Sequence, residues 1–464
     1  MNIRKKFIGD KKFYKMLFMI TLPIVVQNGI TNFVNLLDNL MVGQIGTEQM
    51  SGVAVANQLI FVFNICIFGI VSGAGIFGAQ FFGSRNQEGF RDTVRFKVVY
   101  GALASLLGVL IFWFFGENFI GLFLTDDGGS GTVEATLRYG VQYLRIMLIG
   151  LPAFALTQTY TSCLREMGKT VLPMRAGMVA IVINMVLNYI LIFGKFGAPV
   201  LGVAGAAIAT VISRFAEVLV VIFAVHREEA RYPFIQDAYR TLKIPAELQK
   251  KIWIKGSPLI INEALWAVGL AILSQSYSTR GLSVVAGINI SSTISNLFNV
   301  LYMALGYAVG IIVGQLLGAG KMEEARDTDN KLIATSMMCC VVLGAMMIFV
   351  APYFPRLYNT TDEVRTLATS FITSLAIYMP FQAFCHACYF TLRSGGQTLI
   401  TMLFDSVYLW LASIPLARFL TGHTGLPITT VYFLCQSLEL GKCALGMFFL
   451  KKGVWLRNIV SDEA

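Results

Sequence analysis

Long apolar runs, each of about 20 residues or more, occupy most of the chain and are parted by short polar segments. An α-helix rises about 1.5 Å per residue, so a run of this length crosses the roughly 30 Å hydrocarbon core of a bilayer. The runs fall near 17–42, 53–80, 95–116, 139–160, 172–194 and 201–225, and then near 254–279, 284–316, 332–352, 369–390, 400–420 and 428–450. A polar segment from His226 to Lys251 divides them into two sets of six. The pattern predicts an all-α polytopic membrane protein with twelve transmembrane helices.

The two sets repeat each other. Gln80-Phe81-Phe82-Gly83 followed by Arg91-Asp92-Thr93 returns as Gln315-Leu316-Leu317-Gly318 followed by Arg326-Asp327-Thr328. Leu164-Arg165 with Gly168 and Thr170 returns as Leu392-Arg393 with Gly396 and Thr398. Pro23 matches Pro258, and Pro152 matches Pro380. Order and spacing both hold, which marks a duplicated half-chain. Six spans per half is an even number, so both halves enter the membrane in the same orientation, as parallel repeats about an axis along the membrane normal. The expected architecture is two six-helix lobes around a cavity: an N-terminal lobe over 1–225, a cytoplasmic linker over 226–252 and a C-terminal lobe over 253–464. Pro233, Pro245 and the linker's charges suit a surface connection, with room for a short amphipathic helix.

Charge sets the expected orientation. Basic residues crowd the loops after spans two, four, six, eight and twelve, for example Arg85, Arg91, Arg95 and Lys97, then Arg165, Lys169 and Arg175, then Lys321, Arg326 and Lys331. The intervening loops are poorer in them or acidic (Glu48; Asp126, Asp127, Glu134). Both termini therefore belong in the cytoplasm. The first residues are polar and basic (Arg4, Lys5, Lys6, Lys11, Lys12, Lys15), and the run behind them is too long for a signal-peptide core, so it reads as a retained first helix. Composition agrees: of 464 residues 56% are hydrophobic and 13% charged, against about a quarter charged in soluble domains. The net charge of +10 lies in short loops, so it reads as positive-inside topology beside membrane lipid and not as a nucleic-acid surface.

Gly306, Gly310, Gly314 and Gly318 are spaced for close helix packing, and Gly75, Ala79 and Gly83 match the last three. The eight cysteines show no disulfide framework. Cys385-His386-Ala387-Cys388 falls inside a span and reads as helix packing, since thiols are ordinary buried residues.

Ionisable groups inside spans are costly and face a cavity or a partner. Asp38 lies in span one within Asn35-Leu36-Leu37-Asp38-Asn39, Glu263 in span seven, and Asp405 early in span eleven. Arg214 and Glu217 can pair one turn apart in span six, and Glu439 and Lys442 in span twelve. Arg145, with Gln142 a turn before it, either lines the cavity or pairs with an acid. Asp38 and Glu263 have no opposite charge within a turn. A half-desolvated carboxylate can exchange a proton near neutral pH or hold a small hard cation beside neutral oxygens. Asn184 and Asn188, one turn apart in span five, and Thr210 in span six supply such oxygens, so Asp38, Asn184, Asn188 and Thr210 form a candidate sodium or proton site. Glu263 and Asp405 are further coupling candidates. Asn35, Asn39, Asn262, Trp266, Tyr378 and Gln382 are candidate cavity residues for substrate.

These residues carry a resemblance. Pro23 through Asp38-Asn39-Leu40-Met41-Val42-Gly43 with Gly46, Leu164-Arg165-Glu166-Met167-Gly168-Lys169-Thr170, and Asn184-Met185-Val186-Leu187-Asn188 running into Gly202 through Thr210 lie in the first half. Asn262-Glu263-Ala264-Leu265-Trp266 and Leu392-Arg393-Ser394-Gly395-Gly396-Gln397-Thr398 lie in the second. In that order the chain resembles, over nearly its full length, the multidrug and toxic compound extrusion (MATE) transporters, most closely their bacterial NorM- and DinF-like branches. The resemblance implies a monomeric, V-shaped exporter of the bacterial inner membrane, coupled to protons or sodium, moving amphipathic or cationic small molecules outward by alternating access. It implies that Asp38 is the coupling acid, that Asn184, Asn188 and Thr210 surround it, and that Glu263 is the second-lobe acid. Two positions depart from the family pattern. Asn188 stands where some relatives carry aspartate, and Gln382 where NorM-like relatives place a tenth-helix aspartate, for which Asp405 is the candidate replacement.

A lipid-linked oligosaccharide flippase of the same wider superfamily would instead need a basic cavity. A membrane-embedded enzyme would need clustered catalytic groups, whereas His226, His386 and His423 are far apart in sequence. Gly318-Ala319-Gly320-Lys321 lacks the glycine spacing and the following Ser or Thr of a phosphate loop, so neither ATP nor another cofactor is expected.

Overall fold

A computed structural model describes residues 7–124 and 133–461, apart from the side chains of residues 34–36, 39 and 40. Asp126 and Asp127 lie outside the described residues, and Asn35 and Asn39 outside the described side chains. Among the described residues, twelve helices are long and apolar enough to cross a membrane. They are α1 (Lys11–Gly43), α2 (Thr47–Gly83), α3 (Gln87–Gly121), α4 (Val133–Glu166), α5 (Val171–Phe193) and α6 (Val203–Arg227), then α7 (Ala246–Ser278), α8 (Leu282–Gly318), α9 (Met322–Val350), α10 (Asp362–Ser394), α11 (Thr398–His423) and α12 (Ile428–Lys452). Large apolar side chains such as Phe114, Phe349 and Leu411 are 70–75% exposed, as lipid-facing residues are.

Several helices overrun their apolar cores because local signals, not hydropathy, set their ends. The Asn86 side chain accepts a hydrogen bond from the Gly89 N–H at 2.9 Å and starts α3 well before its apolar run. Thr361 likewise caps α10, with Asp362 and Glu363 in the first turn. The repeated Leu-Arg-x-x-Gly segment is a helix stop. Gly168 and Gly396 take left-handed backbone (φ 72° and 70°), and Lys169 N–H donates to Leu164 C=O as Gln397 N–H does to Leu392 C=O. This is the paired hydrogen bonding of a Schellman ending. Gly320 ends α8 in the same way, while its counterpart in the first half is Arg85, at φ 60°.

The chain forms two compact units. The C unit holds the chain up to Val25, Ala79–Arg85 and Trp253–Ala464; the N unit holds Val26–Gly78 and Asn86–Ile252. The boundaries drawn from sequence place all of α1 and α2 in the first lobe, whereas the division into compact units passes through both helices. Phe13, Leu17, Ile20 and Ile24 of α1 join the core made by Ala308, Ile312, Leu317, Leu392 and Trp455. The buried Gln80 amide donates to the carbonyls of Ser394 and Arg457 (2.8 and 3.1 Å), and its oxygen accepts from Ile459 N–H at 2.8 Å. The repeated Gln-x-x-Gly segments meet each other reciprocally there. A Cβ on Gly83 would collide with the Gln315 carbonyl, and one on Gly318 with that of Gln80.

The 226–252 segment is packed, and it contains no amphipathic helix. A 3₁₀ turn at Glu229–Arg231 is followed by turns, and α7 already begins at Ala246. Tyr232, Phe234, Ile235 and Ala238 are buried. The Phe234 ring packs edge-on against Phe90, and Arg95 donates to the Ala238 and Asp237 carbonyls. Gly83→Val is expected to cost about 1–3 kcal/mol through overpacking, and Arg85→Gly to gain about 1 kcal/mol by relieving left-handed backbone. Thermal unfolding of the purified variants checks both signs.

Candidate functional site

In the N unit, α1, α5 and α6 bring four sequence-predicted residues together. The Asn188 amide donates to Asp38 Oδ1 at 2.6 Å and to Asn184 Oδ1 at 3.2 Å, and the Asn184 amide donates to Thr210 Oγ1 at 3.3 Å. With its amide turned the other way, Asn184 donates to both Asp38 oxygens, at 3.1 and 3.3 Å. Helical spacing explains the grouping: Asn184 and Asn188 are one turn apart on the buried face of α5, 5% and 1% exposed. The Thr210 hydroxyl is held by the Ala206 carbonyl at 3.0 Å. Tyr143 of α4 lies within electrostatic reach of Asp38 and of Arg214. Among the described residues, no Lys, Arg or His nitrogen lies within 4.0 Å of the half-buried Asp38 carboxylate. Its neighbours are neutral dipoles. Asn188 Oδ1 is buried and has no hydrogen-bond donor, so an acceptor oxygen stands ready beside the carboxylate.

Arg214 and Glu217 do not form the contact expected of them. Arg214 instead lies over the Phe154 ring, 5.1 Å from its centre, with Glu217 only within electrostatic reach. Helix geometry allows both arrangements, and a guanidinium over an aromatic face is a favourable one. Among the described residues no carboxylate oxygen lies within 4.0 Å of Arg145, which lies 5.8 Å from the centre of the Trp113 ring.

The C unit differs in kind. Glu263 Oε1 accepts from the Tyr389 hydroxyl at 3.2 Å, and Arg393 lies within its electrostatic reach. Asp405 Oδ1 is bound by Lys442 at 2.7 Å, and Oδ2 accepts from Asn262 at 3.2 Å. Lys442 therefore pairs with Asp405 of α11 and not with Glu439, which stays within electrostatic reach. Asn262 is 1% exposed, so it stitches helices together and does not line an open surface. Tyr378 is also buried, against Phe433 at 5.3 Å, and the Gln382 amide donates to Gln436 at 3.4 Å. Trp266 is 40% exposed. Cys385 sits 3.5 Å from Cys443, Sγ to Sγ, with His386 among Tyr302, Tyr389 and Phe390.

Sequence reasoning missed the partners supplied by other helices: Tyr143, Tyr389, Ser406 and the true mate of Lys442. It also placed Lys97 in a cytoplasmic loop. Lys97 lies inside α3, fully buried, with its ammonium 2.5 Å from Glu166 of α4 and 3.2 Å from Ser162. Nothing local to Lys97 marks this, because its partner is on another helix. Removing one member of a buried pair strands the other charge. Lys97→Met or Glu166→Gln alone is expected to cost about 3–5 kcal/mol, and the double replacement far less. Thermal unfolding of the three variants decides; singles as stable as wild type would show that the pair is not structural.

Comparison with known proteins shows what the chain as a whole is similar to. The model of the MatE family matches residues 23–190 and 258–419. The probable multidrug resistance protein NorM of Thermotoga maritima is 23% identical over 452 residues, covering 96% of this chain and 94% of its own. The probable multidrug resistance protein YoeA of Bacillus subtilis is 26% identical over 430 residues, covering 90% of this chain and 89% of its own. A crystal structure of a MATE in complex with MaD3S superposes with a TM-score of 0.84 at 18% identity, over 98% of each chain.

Proposed function

We propose that this chain, which belongs to the MatE family, is a cation-coupled exporter of amphipathic or cationic small molecules. It is a multi-pass membrane transporter and not an enzyme. In this reading it sits in a bacterial inner membrane as a monomer with both termini in the cytoplasm. Support for drug export comes from relatives called multidrug resistance proteins along nearly the whole chain.

The observation that carries the coupling is the Asp38 cluster. A carboxylate held in a membrane helix by neutral dipoles alone needs a proton or a metal cation to neutralise it. The residues present fit either. A proton would reside on Asp38. Sodium would be held by oxygens of Asp38, Asn184, Asn188 and Thr210, the hard ligands such a cation takes, with Asn188 Oδ1 already bare.

In the cycle proposed, the organic cation and the coupling ion bias inward- and outward-open states through their differential affinities. An ion entering from outside neutralises Asp38, and the hold on a cationic drug weakens. Glu263 accepts from the Tyr389 hydroxyl with Arg393 within electrostatic reach, and in this reading it is the acid of the C unit that meets the organic cation.

Export of a fluorescent organic cation from proteoliposomes, driven by an imposed proton or sodium gradient, tests this reading. Asp38→Asn is expected to slow gradient-driven export by at least about tenfold, the equivalent of about 1.4 kcal/mol. Omitting sodium at fixed pH identifies the ion. Wild-type rates in Asp38→Asn and in Glu263→Gln would refute the assignment.

A further inference from the structure

The two units neutralise their membrane acids differently. In the C unit the Asp405–Lys442 pair is 17% and 15% exposed, and the ammonium also lies 5.3 Å from the centre of the Phe404 ring. Both Asp405 oxygens are engaged, one by Lys442 and one by Asn262. Asn262 is fixed in turn: the Ser406 hydroxyl donates to its main-chain and side-chain oxygens at 2.7 Å each, and the Ser406 N–H donates to its side-chain oxygen at 3.3 Å. Asp405 and Ser406 sit where α11 widens into a π-helical turn, Leu403–Val407. Such turns turn a side chain out of the regular helical register and recur at functional sites. Charged and titratable groups within electrostatic reach of this pair include Glu439 on α12, Cys385, His386, Cys388 and Tyr389 on α10, Tyr302 on α8, Tyr408 on α11 and Glu263 on α7.

The repeat supplies a second observation. The last helices of the two halves, Val203–Arg227 and Ile428–Lys452, are both 25 residues long, which sets Arg214 opposite Glu439 and Glu217 opposite Lys442. Each half carries a base in its last helix, and each base lies over a phenylalanine ring, Phe154 or Phe404. Only the second base meets a carboxylate: no carboxylate oxygen lies within 4.0 Å of Arg214 among the described residues. The two units therefore hold complementary arrangements, an acid without a base at Asp38 and an acid closed by a base at Asp405.

We propose that Lys442 is a built-in cation for Asp405: its ammonium takes the place that a proton or sodium ion takes at Asp38, so Asp405 is not exchanged during transport and Lys442 fixes which carboxylate carries the coupling ion. A tethered ammonium acts at an effective concentration in the millimolar range or above and cannot diffuse away, so a solvent cation has to displace a ligand that is always present. The proposal rests on the reading of Asp38 as the coupling acid, and it goes beyond it by assigning Lys442 as the residue that silences the second site.

The test is equilibrium ion binding to the full-length protein in lipid nanodiscs, without transport. Bound radioactive sodium and the infrared absorption of protonated carboxyl groups are measured together. Asp405→Asn is expected to leave both wild-type signals intact. Lys442→Met, or Lys442→Gln if the first unfolds, is expected to add a protonated-carboxyl band or to roughly double bound sodium; the Lys442→Met/Asp405→Asn double variant is expected to lose that gain. A wild-type signal that disappears in Asp405→Asn overturns the proposal, as does the absence of any gain in folded Lys442 variants. Asp38→Asn measured alongside separates the two readings: if it removes no signal, the coupling assignment fails while the Lys442 comparison still stands.

Discussion

A charge inside a bilayer must be neutralised, and the way each buried acid of this protein meets that demand organises the molecule. Moving a carboxylate out of water costs several kcal/mol even after relaxation. Four solutions are visible. Glu166 is closed by Lys97 at 2.5 Å and Asp405 by Lys442 at 2.7 Å. Asp329, 2% exposed, accepts from the Thr391 hydroxyl at 2.6 Å. Asp38 alone of the expected coupling acids combines a place in a membrane helix with neutral neighbours and an orphaned acceptor beside it. Closed pairs hold helices together; in the reading proposed here, Asp38 is the acid that takes and gives up the ion.

Duplication explains why the scaffold is so regular around chemistry that is not. The Schellman stops at Gly168 and Gly396, the helix-internal Pro152 and Pro380 and the reciprocal approach of Gly83 and Gly318 are backbone devices, and both halves keep them. A backbone device fails unless it is copied whole. Acids are free to differ, because each needs only its own local compensation. Asp38 aligns with Leu273 and Glu263 with Asn28, and in the last helices Arg214 stands opposite Glu439 and Glu217 opposite Lys442.

Most of the fold was legible in the sequence because hydrophobic run length is a direct physical requirement of the bilayer. The twelve spans and the repeat followed from run length and order, and the pairing of Asn184 with Asn188 from spacing along one helix, whereas their grouping with Asp38 and Thr210 is what the family resemblance implied. What could not be read was contact between helices distant in sequence. Lys442 has an acid one turn away, so helix-local reasoning paired it with Glu439, while the structure gives it Asp405 from α11. Lys97 read as a loop charge because Glu166 lies on another helix. The packing of residues up to Val25 and of Ala79–Arg85 with the C unit was hidden for the same reason: chain order says nothing of which core a helix end enters.

The central claim is that ion exchange is confined to the acid without a base. Calorimetric binding of a lipophilic monovalent cation, repeated in buffers of different ionisation enthalpy and at different sodium concentrations, counts the protons or sodium ions released as the organic cation binds. Release that vanishes in Asp38→Asn and survives in the Lys442→Met/Asp405→Asn double variant is the predicted result. Release that survives in Asp38→Asn and vanishes in the double variant would contradict the account.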